Sequence, residues 1–280
     1  MTLTRPSSPF DAPAHASCAV RFAGATDRGL RRSRNEDALL VAADHGLMAV
    51  ADGMGGHANG DVASQLAIET IATFFRRQLG WETSDLDDDV TADEHCLSTA
   101  LRLANWRLYY GAAPEPGAGF GMGTTLVAAL FGDAGRTITV AHVGDSRAYR
   151  LRAGVIERLT HDHSVREECA RRASRDGTTP LRLPQNVLTR AIGVEPDVDI
   201  DLLQDETEPG DVYLLCSDGL WARASNDDIA AVLERSRTLE VGCAALVALA
   251  NQRGGGDNIT VTLARVDALA PPPRSRVSAR

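Results

Sequence analysis

Five aspartates stand where short apolar runs begin or end, and they are the residues whose placement could do chemistry. Asp52 and Asp218 each close such a run and precede glycine, in LMAVADG and VYLLCSDG. Asp145 follows VAHVG, Asp257 stands in GGDN just before NITVTLAR, and Asp37 opens DALLV. Apolar runs bounded by turn residues read as buried strands. An isolated buried carboxylate is costly, so an acid at such a strand end reaches water or holds a cation. If the strands share sheets, the five carboxylates meet at one edge. Oxygen donors without nitrogen or sulfur partners suit hard divalent ions, Mg2+ or Mn2+. Gly53 lets the backbone approach such an ion closely, so its carbonyl is a further candidate ligand. Any one Asp-Gly pair alone spells a turn. Five acids at strand boundaries argue for a binuclear site.

The elements that must position these residues follow from pattern. Strands are expected at 18–25, 38–43 and 47–51, with His45-Gly46 turning the second into the third. A helix is predicted over 60–79, with Val62, Leu66, Ala67, Ile71, Phe74 and Phe75 on its apolar face. A second carries Leu97, Ala100, Leu101, Ala104 and Leu108. An acidic loop, 81–93, lies between them, and a Gly/Pro-rich loop, 111–123, follows. Strands return at 125–131, 137–143, 148–151 and 212–216. Residues 166–175 are helical in propensity but almost without an apolar stripe, which suits a surface flap. Ser225 with Asp228 spells a capping box, and a last helix over 239–252 stops at Gly254-Gly255-Gly256. Residues 258–265 alternate as a strand with one covered face should. Strands bunched around two helix pairs, without βαβα alternation, favour a mostly antiparallel sandwich with helices outside.

Composition removes several function classes. All 29 basic residues are arginine, so a Walker-type phosphate loop, a kinase-type nucleotide lysine and Schiff-base chemistry are excluded. A net charge of −9 argues against a nucleic-acid partner. The 5 cysteines are odd in number and scattered without C-x-x-C, which points to a reducing cytosol rather than a zinc finger or disulfide scaffold. No apolar run approaches the ~20 residues of a membrane span, and no signal-peptide core opens the chain. The expected organisation is a disordered leader, 1–17, one domain, 18–267, and a disordered Pro/Arg-rich tail, 268–280.

In chain order, TDRGLRRSRNEDA, VADGMGGHANG, GTTL, VGDSRAYRL, LTHDHS, LTRAIG, LLCSDGLW and GGDNITV resemble the protein phosphatase 2C-like, metal-dependent (PPM) Ser/Thr phosphatases of the bacterial branch. The likeness spans about Ala23 to Val261. It implies an α+β fold, a four-layer αββα sandwich of two mostly antiparallel sheets flanked by helix pairs, with the metal site at one edge. It implies Asp52 bridging two Mn2+ or Mg2+ ions with the Gly53 carbonyl, Asp37 ordering metal-bound water, and Asp218 and Asp257 ligating the other ion. Asp145 resembles the ligand of a weaker third ion seen in bacterial members, and Arg32, in R-x-x-N-E-D spacing, the phosphate-binding arginine. The implied chemistry is hydrolysis of phosphoserine and phosphothreonine by a metal-bridging hydroxide. Two ions ~3.5–4 Å apart lower the pKa of that water, and a planar guanidinium grips two phosphate oxygens. Where many eukaryotic relatives carry histidine after Asp-Gly, this chain has Met54; the general acid is then His57 or metal-bound water. The implied partners are phosphorylated proteins, substrates of a Ser/Thr kinase, met by a cytoplasmic monomer.

Other motifs are weighed against plainer readings. His161-Asp162-His163 looks like a metal clip, but in this family the stretch is structural. Cys169 and Arg175 spell the C-x5-R of cysteine-dependent phosphatases, yet CARRASR lacks the glycines such a phosphate cradle needs. The flap, 164–188, could contact phosphopeptides through its arginines or be a solvated loop. The alternative function is a catalytically weak phosphoprotein-binding or partner-switching regulator of the same fold; a lost ligand would betray it, and none is missing.

Overall fold

The computed structural model describes residues 19–54, 59–77, 90–111, 122–179, 183–184 and 187–267. The expected leader and tail, most of the acidic loop and His57 lie outside the described residues.

Two antiparallel sheets face each other. One runs β1 (Val20–Asp27), β11 (Ile259–Val266), β10 (Val212–Cys216), β7 (Arg147–Arg152) and β8 (Val155–Arg158) in spatial order. The other runs β2 (Asp37–Ala42), β3 (Leu47–Met54), β5 (Leu126–Gly132), β6 (Thr137–Val143) and β9 (Asp201–Glu206), with the short β4 (Gly123–Thr124) also on β3. Between the sheets, Met48, Val50, Val127, Phe131 and Ile138 meet Ala148, Tyr213, Leu215 and Ala264. Helices α1 (Gly60–Arg76) and α2 (Ala92–Gly111) cover the second sheet, with Ile71, Phe74, Leu97 and Leu101 over Leu47, Ala49 and Leu126. The outer face of the first sheet is closed by α4 (Asp218–Trp221), α5 (Asn226–Arg235) and α6 (Leu239–Gln252), through Leu220, Ile229, Leu233 and Leu246. The flap helix α3 (Val165–Asp176) buries only Ala173. Each layer buries one stripe against the next, the αββα sandwich expected.

Some local expectations change. Val62 is exposed, and Ala63 and Ile68 take its place on the buried face of α1. The small residues Ala63 and Ala67 are buried in one cluster with Leu47, Ala49 and Ala51 of β3. In β11 both faces are covered, one by α6 and one by the opposite sheet, so its Thr-Val alternation marks no solvent face. Strand β9, DLLQDE, is a half-exposed edge that its acidic sequence conceals, and β8 is a short edge strand likewise unforeseen.

Candidate active site

The hairpin of β2 and β3 sets Asp37 directly opposite Asp52. The turn before β3 uses Gly46 at φ 63, where a side chain would be strained and would also strike the Phe131 carbonyl. The Asp52 backbone is held on both sides. Its N–H donates to Thr125 Oγ1 (3.1 Å), and its carbonyl accepts from Thr125 N (2.8 Å) and Thr124 Oγ1 (2.9 Å). A Cβ on Gly53 would lie 2.0 Å from the Gly60 carbonyl oxygen and 2.6 Å from that of Glu36, so only glycine passes between them.

The facing sheet contributes through Ser217, which ends β10. Its hydroxyl donates to Asp37 Oδ2 (2.7 Å) and accepts from Thr260 N (3.0 Å). Asp218 follows as the first residue of α4. Asn258 accepts from Glu36 N (2.8 Å) and donates to the carbonyls of Arg28 (2.9 Å) and Arg34 (2.8 Å), stapling the arginine loop to the start of β11. Within that loop Arg32 reaches Asp257 Oδ2 at 2.7 Å. Asp145 is held by its main chain, the carbonyl accepting from Trp221 Nε1 (3.0 Å). The Arg147 guanidinium lies 3.6 Å over that indole and grips Asp162 through two bonds of 2.8 and 2.6 Å.

These contacts bring the five acids together, and the signature is a set of carboxyls raised by burial first and by mutual repulsion second. Burial, then the charges of Asp218 and Asp257, push the Asp37 carboxyl up to about 7, against hydrogen bonds from Thr260 and Ser217. Burial and Asp218 raise Asp145 to about 7, and burial and Asp257 raise Asp218 to about 6. Asp52 keeps some exposed surface but its carboxylate is deeply set. Burial first, then Asp37, Asp218, Asp145 and Asp257, hold its pKa well above the usual range. Asp37 Oδ1 and Asp218 Oδ1 are buried without a hydrogen-bond partner. Unpaired buried carboxylate oxygens are expensive unless a cation meets them. The donor set, carboxylates with a neighbouring backbone carbonyl, fits Mg2+ or Mn2+.

The other candidates separate. Asp162 is paired with Arg147, His161 is exposed, and His163 turns inward beside His142 and Asp201, so the three-residue clip does not form. The His142–His163–Asp201 group has the composition of a metal site, but its hydrogen bonding opposes one. His163 Nδ1 accepts from Gly144 N (3.2 Å), so the proton of the neutral ring sits on Nε2, 3.3 Å from Asp201 Oδ2. That nitrogen has no lone pair for an ion. Burial keeps both rings neutral, His142 down to about 3 and His163 below its usual value. Cys169 and Arg175 lie on the helix α3, not in a phosphate-cradling loop.

Comparison with known proteins agrees with this geometry. The sequence model of the family described as protein phosphatase 2C matches residues 30–245. The chain belongs to the protein phosphatase 2C family. It is 37% identical over 248 residues to the serine/threonine phosphatase stp of Listeria monocytogenes, covering 86% of this chain and 94% of that one. The crystal structure of the Mycobacterium tuberculosis phosphatase PstP/Ppp superposes with a TM-score of 0.74 at 34% identity, over 89% of this chain and 99% of that one. The PstP catalytic domain solved with 2 manganese ions gives a TM-score of 0.72 at 35% identity, over 89% and 99% of the two chains. In this member of the family, the residues that sequence reasoning missed are those that hold the acids: Ser217, Asn258, Thr125 and Trp221. Ser217 carried a signal, a lone polar residue between VYLLC and the acid, whereas the role of Asn258 needs the tertiary contact.

Proposed function

We propose that this phosphatase removes phosphate from phosphoserine and phosphothreonine in proteins, with two Mn2+ or Mg2+ ions at the five-acid edge. The observation that carries this reading is the pair of buried, unpartnered oxygens on Asp37 and Asp218, among carboxylates whose pKa values are raised first by burial and then by one another's charge. Asp52 and the Gly53 carbonyl would hold both ions, Asp218 and Asp257 one of them, and Asp145 a third. The ions supply neutralisation of the phosphate dianion and an acidified water. Asp37, fixed by Ser217, would orient that water through its free oxygen. Arg32 now rests on Asp257; a cation there would free its guanidinium to take two phosphate oxygens. His57 stands close in sequence to Asp52 and is the candidate proton donor to the leaving alkoxide. The substrates on this reading are products of a Ser/Thr kinase, and the enzyme works as a cytoplasmic monomer. Among the described residues no helix is long and apolar enough to cross a bilayer.

The test is hydrolysis of a phosphothreonine peptide with added Mn2+, in wild type and Asp52→Asn. The variant should lose at least about 100-fold in kcat/KM with its circular dichroism unchanged. Unchanged turnover in the variant, or none in the wild type, overturns the assignment.

A further inference from the structure

A second guanidinium stands at the acidic edge: the charge of Arg223 is among those that lower the Asp218 pKa, yet among the described residues it holds no acid by hydrogen bond or ion pair. Arg223 follows α4, five residues after Asp218, and is exposed. Its neighbours differ: Arg32 is bonded to Asp257, Arg253 to Asp228, and Arg147 to Asp162. In a chain with 38 acidic and 29 basic side chains, an unpaired arginine beside five carboxylates is conspicuous.

Its position is built, not loose. Arg223 N donates to the Leu220 carbonyl (2.9 Å), closing the turn begun at Asp218. The Arg223 carbonyl accepts from Arg253 Nη1 (2.8 Å), and Arg253 in turn grips Asp228, whose capping box with Ser225 starts α5. The guanidinium then lies over Gly256: a Cβ there would sit 2.5 Å from Arg223 Nη2. Gly256 precedes Asp257, which Arg32 holds from the other side. On that side the loop is docked as well, Leu30 N and Arg31 N both donating to the Gly255 carbonyl (2.8 and 3.2 Å). Arg31 is exposed and, among the described residues, its side chain also has no hydrogen bond or ion pair. The Arg223 guanidinium and the exposed Arg31, docked by its backbone, therefore flank the segment 254–257 from its two sides.

Five clustered carboxylates repel an acidic peptide, and arginines at their rim reverse that sign locally. We propose that Arg223 is a specificity-determining residue that binds an acidic side chain flanking the phosphorylated serine or threonine, with Arg31 on the opposite rim adding to the same field. Arg32 takes the scissile phosphate and Arg223 the neighbouring carboxylate. This rests on the phosphatase reading above.

The experiment compares kcat/KM for two phosphothreonine peptides, one with glutamate beside the phosphothreonine and one with glutamine there, in wild type, Arg223→Gln and Arg223→Lys. The wild type should prefer the acidic peptide about fivefold, the scale of a solvent-facing ion pair. Arg223→Gln should erase the preference through KM, and Arg223→Lys should keep part of it. Added salt should shrink the wild-type ratio. A ratio unchanged by Arg223→Gln, including an equal fall on both peptides from contact with the scissile phosphate, overturns the inference. Wild type that hydrolyses p-nitrophenyl phosphate without peptide preference overturns it too and spares the phosphatase reading. In protein without turnover, the same ratio read as peptide binding by fluorescence anisotropy decides it alone.

Discussion

Ser217 joins the two sheets through one hydroxyl, donating to Asp37 Oδ2 at 2.7 Å and accepting from Thr260 N at 3.0 Å. It leaves Asp37 with one fixed and one free oxygen, the arrangement a water-orienting carboxylate needs. Ser217→Ala strips Asp37 of that donor and leaves Thr260 N–H unpaired in a buried place, which costs about 1–3 kcal/mol. Mn2+ affinity in this variant should fall about 10–100-fold, as for other residues behind metal ligands. Calorimetric Mn2+ titration of the folded variant checks this; wild-type affinity would show that Asp37 needs no such support. The five acids were legible one by one because each interrupts an apolar run. Ser217 was not, because a hydroxyl after a strand has many uses and only its partner on another strand singles one out.

At the scale of elements, the arginine loop between β1 and β2 is shaped by its contacts with the loop before β11. Gly29, at φ 75, packs so closely that a Cβ would lie 2.1 Å from the Asp257 carbonyl oxygen. Gly29→Ala combines a left-handed backbone with a clash against main chain, so the two loops must part. KM for phosphopeptide should rise about tenfold or more as Arg32 loses its station, while the sandwich core keeps its cooperative unfolding. Steady-state kinetics alongside a thermal melt separates the two effects, and an unchanged KM would show that the loop tolerates displacement. The strands with apolar cores were readable in order and nearly to the residue, because burial writes itself as composition. Edge strands β8 and β9 were not, since solvent on one face permits charge, and DLLQDE is spelled like a loop.

For the whole molecule, the acids placed at one edge couple stability to pH and to cations. Asp37 and Asp145, raised to about 7, and Asp218, raised to about 6, bind protons in the fold at pH values where the unfolded chain has released them. Their contribution in the metal-free protein is therefore present at low pH and lost as pH rises through about 6 to 7. His142 and His163, held neutral, act in the opposite direction: their contribution is lost as pH falls below their unfolded value. The clean readout is the difference in Tm between Mn2+ and EDTA. Cations compete with protons for the carboxylates, so the difference should be small near pH 5 and widen by several degrees toward pH 8, at ~2–4 °C per kcal/mol for a chain of this size. A difference that is flat across this range would remove the acid cluster as the place where the cation binds.

The sequence by itself determined the sandwich class, the order of the core strands and helices, and the standing of five acids at strand ends, because burial and turn chemistry leave marks within a few residues of each position; Arg32 stood out only through the family resemblance. Tertiary structure alone decided which of these groups meet. Asp37 faces Asp52 through strand register, Ser217 and Asn258 reach across between loops and sheets, and His163 turns away from Asp162 toward Gly144. It also placed the Arg223 guanidinium over Gly256, with no hydrogen bond or ion pair to an acid among the described residues. These are contacts between residues far apart in the chain, set by how two sheets stack and which loops dock, and no local pattern records them.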